Sequence, residues 1–482
     1  MSALVLLAAT GGGLLARGAD WPCAGGPDAN FQSAEKGIVT DFSAGGDPVL
    51  WRTQVSPGFA GVSVSSGSVF TVSISDGFKM AKKTANGRGA VCRADDATDA
   101  EIAIYRLDAA TGQAVWVHRY RVPARFQSWH WSKEMNPNVG AWYGPKAEPT
   151  VDGEWLYVLD HTGVLTCLSV RDGTVRWSAG LRERFKAVPP KFGYSCPPLI
   201  VEEKVIVPLF QDDGCLVALN KQTGEVIWRG GSTVRREEDK HRWDGYSLPV
   251  TLTLGDRTQV VYFTGAGVMG LDIETGAVLW TYPLQTFTGE VAPKPIVQGT
   301  RIFISTVYSN PGGLLLEVGA DGAKKIWDSW NLKNHFANMA LYQGFLYGTS
   351  GYDFEEKRKP MMRCLDFASG EMKWTAPEYR EQPDGPPQQA QLIAADSKLI
   401  ILTGFGDLIL AEASPEQYRE ISHLRLKVEE PNCQWWPRMA LADRRLYCRT
   451  TAGEVLCVAL DGTKREGSAP LLSAEKTAAP AR

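Results

Sequence analysis

An all-β chain folded as an eight-bladed β-propeller of four-stranded antiparallel blades is what three features of this sequence predict. A strand–turn–strand unit ending in tryptophan recurs along most of its length. The recurrences are spaced like propeller blades, and the two ends of the array are incomplete in complementary ways. The chain has 482 residues, of which 49 are glycine and 16 tryptophan. Hydrophobic residues make up 44% and charged residues 22%, the composition of a folded chain rather than a disordered one. The 51 basic and 54 acidic residues leave a formal charge of −3, so there is no basic excess for nucleic-acid binding and no nucleic-acid partner is expected.

At the amino terminus, residues 1–19 read as a secretory signal. The apolar run from Leu4 to Leu15 falls short of the roughly 20 residues that a bilayer demands. It suits a signal h-region with a small-residue cleavage site at Ala16 to Ala19, although no Lys or Arg precedes it. A buried strand or a frayed apolar end is the competing reading. No other stretch is long enough to span a membrane as a helix, and Cys23, in DWPC, does not follow a lipoprotein-type signal, so no lipid anchor is expected. A periplasmic or secreted location follows.

The repeat comes next. It reads LDAATGQAVW at Leu107–Trp116, LSVRDGTVRW at Leu168–Trp177, LNKQTGEVIW at Leu219–Trp228 and LDIETGAVLW at Leu271–Trp280. A degenerate copy, VGADGAKKIW, covers Val318–Trp327, and LDFASGEMKW covers Leu365–Trp374. Successive tryptophans lie 61, 51, 52, 47 and 47 residues apart, a blade-like period. Asp or Asn at the turn bonds its own backbone, Gly supplies a positive φ, and Val and Ile flank the turn as strands prefer. A further pair of short strands precedes each hairpin, as in Pro149–Asp160 and Lys294–Thr306, which makes four strands per blade.

Counting blades gives six units ending at these tryptophans. A seventh runs to about Ile421, with Tyr418 and Ile421 near the place where Trp is expected. The eighth, from NCQWWPRMALADRRLYCRTTAGEVLCVALDG, lacks its last strand, and the isolated strand around Trp51 can supply it. Such closure pairs the chain's two ends and removes exposed sheet edges. Eight blades are therefore expected, with seven as the fallback. The propeller is assigned to residues 20–462, and the polar, Ala-rich residues 463–482 to a flexible tail. The repeated tryptophans are expected to wedge between blades, each indole N–H finding a carbonyl.

These units resemble the quinoprotein-type, or PQQ-like, β-propeller repeat family, whose tryptophan-docking motif is similar to the D-x-x-T-G-x-x-x-W unit here. The likeness extends from about Trp21 to Gly462. DWPCAGGPDANFQ resembles the D-W-P-x-W-R-G-P opening of exported bacterial PQQ-binding-like repeat proteins, without the second Trp and the Arg. LKNHFANMALYQGFLYG and LILAEASPEQYREI also resemble segments of that group. The resemblance implies an exported bacterial propeller. Its members include PQQ-dependent alcohol and sugar dehydrogenases and an outer-membrane assembly lipoprotein, so fold leaves function to be argued from the site.

A dehydrogenase of this type needs a flat quinone pocket, a cation such as Ca²⁺ on oxygen ligands, and a carboxylate base. The adjacent Cys-Cys pair of the large alcohol dehydrogenases, the haem motif of the quinohaem members and an Asp–Asn–Glu ligand set are not recognisable here. Aligning the inner strands puts Glu148, Leu248, Lys294, Met339, Leu392 and Arg438 at one level of the central funnel, beside Ala147, Cys196, Ser247, Asn338 and Gln391. Glu148, Ser247, Lys294, Asn338, Gln391 and Arg438 are the candidate ligand-binding residues, suited to an anionic or amphoteric ligand. The competing reading is that the charges pair across the channel and bind nothing. No catalytic residue is assigned and no metal site is expected, since the six histidines show no metal-ligand spacing. The function read from this is a non-catalytic binding or scaffold module with a protein partner or small ligand at the funnel face, and no cofactor is assigned. The alternative is a PQQ-dependent alcohol or aldose dehydrogenase with PQQ and calcium in a diverged funnel site.

Smaller features complete the reading. The nine cysteines form no C-x-x-C pair; Cys23 with Cys92 is one conceivable disulfide, and connectivity stays open. Residues 77–100 and 121–144 interrupt the period, the second carrying Trp129, His130, Trp131, Trp142 and Tyr143, and loops of that kind on a rigid scaffold often bind. Val234–Gly245 reads as a solvated connection of mixed charge.

Overall fold

The computed structural model describes residues 20–480, apart from 43–44, 76–77, 82–89, 94–98, 124–143, 188–189, 191, 212, 233–244, 285, 288, 352–360, 378–389, 431–432 and 478. The signal-like residues 1–19, the aromatic cluster of the second insertion and Val234–Asp244 lie outside the described residues. Within them, eight antiparallel sheets follow one another along the chain, spanning 63–123, 150–180, 199–232, 250–283, 296–329, 339–375, 391–425 and 440–459. Each is a four-stranded meander from an inner, axis-lining strand to an outer one, except that 440–459 supplies three strands and takes its outer one from elsewhere in the chain. Buried Val, Leu, Ile and Phe side chains fill the space between neighbouring sheets. No helix among the described residues is long and apolar enough to cross a membrane.

The ring closes as the sequence predicts. Val49–Gln54 lies antiparallel to Glu454–Ala459 and completes blade eight, with Trp51 opposite Cys457. In place of a loose tail, the carboxyl-terminal segment adds Leu471–Ser473 in parallel to Val49–Gln54 and Ala479–Pro480 in parallel to the outer strand of blade one. The unsatisfied edge groups of those two strands give the tail a partner that its composition does not announce. The first insertion forms a hairpin of Phe78–Ala81 and Ala90–Arg93.

The tryptophans are joints, and a β-bulge sets each one. In every Trp-bearing outer strand the register slips by one residue just before the Trp, as between Cys167 and Leu168, which face Trp177 and Val175. The bulge turns the indole toward the next blade. Trp51, Trp116, Trp177, Trp228, Trp327 and Trp374 donate to Ala109 O, Val170 O, Lys221 O, Ile273 O, Phe367 O and Ser414 O at 2.8–3.0 Å. The turn glycine of the next blade lies flat on the ring. A Cβ at Gly224 would stand 2.7 Å from Trp177, and φ there is +72°.

Two joints differ. Blade five has the degenerate repeat, so its two-residue turn at Ala320–Asp321 offers no equivalent carbonyl. Trp280 instead donates to Gln259 Oε1 in its own blade, at 2.7 Å. In blade seven, register places Ser422, rather than Tyr418 or Ile421, at the tryptophan position. Its Oγ accepts from the N–H of Phe42, whose buried ring comes from the incoming amino-terminal segment.

Candidate functional site

A four-stranded blade has two ends. The turns that join the first strand to the second and the third to the fourth lie at one end of the ring. The turn from second to third strand and the connection from each outer strand to the next inner strand lie at the other, and these faces are called here the turn face and the loop face. The inner strands begin at the loop face, so residues just ahead of them line the upper channel.

The amino-terminal segment closes this channel from the turn face. Asp20 accepts from Ser65 Oγ and Ser66 N at the first turn. Trp21 pairs with Val64 of blade one through two backbone bonds of 2.8 Å, and Pro22 O accepts from Val151 N of blade two. Ala24 O accepts from Lys294 Nζ ahead of blade five, at 3.0 Å. Phe31 O then accepts from Ala394 N, and Gln32–Ser33 run parallel to the inner strand of blade seven. A segment bonded in turn to blades one, two, five and seven crosses the axis. Trp21 and Phe31, 1% and 3% exposed, are the apolar content of this plug.

Above it lie the predicted ring residues, and the structure brings three of them together. Arg438 Nη1 meets both carboxylate oxygens of Glu148 at 2.9 Å, and Glu148 is 1% exposed. The ammonium of Lys294 interacts with both charges and packs over the Phe31 ring at 5.8 Å. Burial is the main cause that draws its pKa down to about 8. The other three are engaged between blades. Ser247 Oγ donates to Pro293 O at 2.9 Å, and Gln391 Nε2 to Trp436 O at 3.1 Å. Asn338 exchanges bonds with the backbone of Leu392 in both directions, through its Nδ2 and its Oδ1. Thr150, which donates to Pro198 O, and Ser63, which donates to Pro149 O, extend the same pattern to other blades. A short polar residue at the head of the inner strand is thus a recurrent blade-to-blade tie.

The residues present do not fit a calcium–quinone pair. A Ca²⁺ ion takes six to eight oxygens, several of them from carboxylates. Glu148 is held by Arg438 and faces Lys294, so two cations already stand where the ion would need anions. Among the described residues no cluster of three or more His, Cys, Asp or Glu side chains forms a metal site. Cys23 is a free thiol, and the side chain of Cys92 lies outside the described residues.

The loop face holds a collar of aromatic residues that sequence reasoning largely missed. Phe336 of the connection into blade six meets Trp436 of the connection into blade eight across the channel mouth, at 5.0 Å. Trp436 neighbours Phe59, and Lys146 lies 5.4 Å over the Phe59 ring. Lys146 Nζ donates to Phe192 O at 2.9 Å, and Phe192 packs edge-on against Tyr246. Burial pulls Lys146 down to about 7. His335 stands at the channel mouth as well, bonded to Tyr308 at 2.6 Å, with burial lowering its pKa to about 4. The legible signal was position: each collar residue lies shortly ahead of an inner strand.

The sequence matches the family profile described as outer membrane protein assembly factor BamB over residues 99–376. No curated protein matches it. Among solved structures, BamB from Moraxella catarrhalis aligns at 16% identity and a TM-score of 0.51, over 84% of this chain and 99% of that one. Quinohemoprotein alcohol dehydrogenase from Comamonas testosteroni aligns at 13% identity and a TM-score of 0.57, over 93% of this chain and 82% of that one. A europium-containing methanol dehydrogenase gives 11% and 0.58, over 89% of each. At such identities these likenesses establish the fold alone.

Proposed function

The chain belongs to the family of PQQ-like propeller repeats described as outer membrane protein assembly factor BamB, and on that premise we propose that it is an exported, non-catalytic propeller that binds a protein partner on its loop face. One observation carries the reading: the chain's own segment Trp21–Ser33 crosses the axial channel directly beneath the ring of Glu148, Lys294 and Arg438, where a diverged dehydrogenase site would have to lie. The ring residues support it, because Ser247, Asn338 and Gln391 tie blades together and Glu148 is paired with Arg438. A periplasmic or secreted location is part of the same proposal and accords with the signal-like start.

The test is a thermal melt with PQQ and Ca²⁺, singly and together, followed by dye reduction with a panel of alcohols and aldoses. No shift and no turnover are expected. A shift of several degrees that requires both additions, accompanied by dye reduction, would replace this reading with that of a dehydrogenase.

A further inference from the structure

The guanidinium of Arg438 is only partly used. Both Glu148 oxygens lie 2.9 Å from the one atom Nη1, and among the described residues no acceptor engages Nη2 or Nε. Those two donors form one edge of the fork and send two parallel N–H bonds in the same direction. The side chain keeps 18% of its surface in solvent, where its partner Glu148 keeps 1%. Lys294 is underused as well. Its ammonium carries three protons and has one hydrogen-bond acceptor, the neutral carbonyl of Ala24.

Charge is unbalanced at the same place. Lys294 is faced by Arg438, Glu148 and Cys23, and Cys196 neighbours Arg438 and Glu148. Burial raises both thiols, which keeps them neutral at pH 7. Asp28, the other acid near Cys23, is exposed. Two cations therefore share one carboxylate, and a buried charge without a partner is costly. Gly61, at the head of blade one, makes the arrangement possible. A Cβ there would stand 2.8 Å from Glu148 Cγ and would meet the Arg438 backbone. Its absence lets Arg438 of blade eight reach Glu148 of blade two.

We propose that this ring binds a small monocarboxylate, whose two oxygens accept from Nε and Nη2 of Arg438 and whose charge Lys294 shares. Guanidinium edge and carboxylate match in shape as well as in charge. One negative charge cancels the excess, whereas a sulfate or phosphate dianion would overshoot it and stand against Glu148. The site lies on the axis above the plug, so it adds a ligand to the binding-module reading without drawing on the partner surface.

The test is a calorimetric titration of the full chain with acetate and with propionate at constant ionic strength, with sulfate as the counter-probe. Saturable one-site binding is expected at pH 7. Lys294 titrates near 8, so raising the pH to about 9.5 removes its charge and should weaken binding about tenfold or more. This arm needs no variant. Arg438→Lys keeps the charge but loses the parallel donors, and should also weaken binding about tenfold. Lys294→Met should weaken binding at pH 7 and abolish its pH dependence. Absence of saturable binding, equal affinity at the two pH values, equal affinity of Arg438→Lys, or sulfate binding as tightly as acetate would each overturn the assignment. None of these results touches the loop-face partner, which PQQ-dependent turnover would overturn separately.

Discussion

Arg449 shows how much of this ring depends on single side chains. It is fully buried at the closure seam and binds neutral oxygens of blade one and of the connection leading into it. It donates to Thr71 Oγ1 at 2.6 Å and to Val72 O, Ser56 O and Ser73 Oγ at 3.2 Å. Arg449→Met should cost about 3 kcal/mol in urea denaturation, because it strands several buried acceptors at once. Arg449→Lys should recover little, since a point charge cannot reproduce the guanidinium fork. A loss under about 1 kcal/mol would show that this seam does not depend on the guanidinium. In RRLYCRTT nothing distinguished Arg449 from any strand arginine, because its partners lie more than 370 residues away. The two buried lysines give a pH prediction. Lys146 and Lys294 titrate near 7 and 8 when folded, against about 10.4 unfolded. Between those values the unfolded chain binds protons that the folded chain has released, so their contribution makes stability rise with pH. Burial raises the thiols of Cys167 and Cys457 to about 11 and 12, so above about pH 9 the unfolded thiols ionise first and the trend reverses. Denaturation midpoints from pH 7 to 9 should rise for the native chain and rise less for Lys294→Met. Identical slopes would mean that Lys294 stays charged in the fold.

At the scale of the blade, the joint is a unit made of a turn, a bulge and an indole, and blade five tests which part matters. Its shortened turn removes the carbonyl acceptor, and Trp280 takes Gln259 instead. A double-mutant cycle of Trp280→Phe and Gln259→Leu should give a coupling of about 1 kcal/mol, whereas Trp228→Phe with Gln259→Leu should give none. Zero coupling in the first pair would mean that the indole is held by packing alone. The blades themselves were legible because D-x-x-T-G-x-x-x-W is local chemistry: an Asx-bonded turn, a glycine at positive φ and a large apolar residue, repeated. What lay across the seam was not. Tyr157 and Tyr447 donate to the same carbonyls as Trp177 and Trp51, a doubling that no single blade's sequence displays. The site divides in the same way. Register along inner strands was enough to group Glu148, Lys294 and Arg438. The Glu148–Arg438 pair spans 290 residues and the Lys294–Ala24 bond 270, so pairing and plug came only with the closed ring.

For the whole molecule the decisive contact is the one that makes a ring of a chain. Blade eight is assembled from both ends: three strands from residues 440–459 and one from Val49–Gln54. The carboxyl-terminal segment then straps that seam from outside. Leu471–Ser473 covers the free edge of Val49–Gln54, Glu475 binds Tyr105 Oη at 2.8 Å and pairs with Arg119, and Ala479–Pro480 reaches the outer strand of blade one. Ends joined in this way convert the loss of one strand into the opening of a ring, so local unfolding should begin there. Truncation after Gly467 removes the strap and keeps the closing strand, so the ring should still form. Its melting temperature should fall by a few degrees. Amide exchange should accelerate at Val49–Gln54 and Ala114–Pro123 while the sheets of blades three to six keep their protection. A uniform loss of protection would instead mean that the propeller opens as one cooperative body, with the tail bound to it and not holding it shut. Unchanged exchange in the two strands would mean that Arg449 and the Trp51 joint close the ring without it. The two results separate a strap from a decoration because each names different amides.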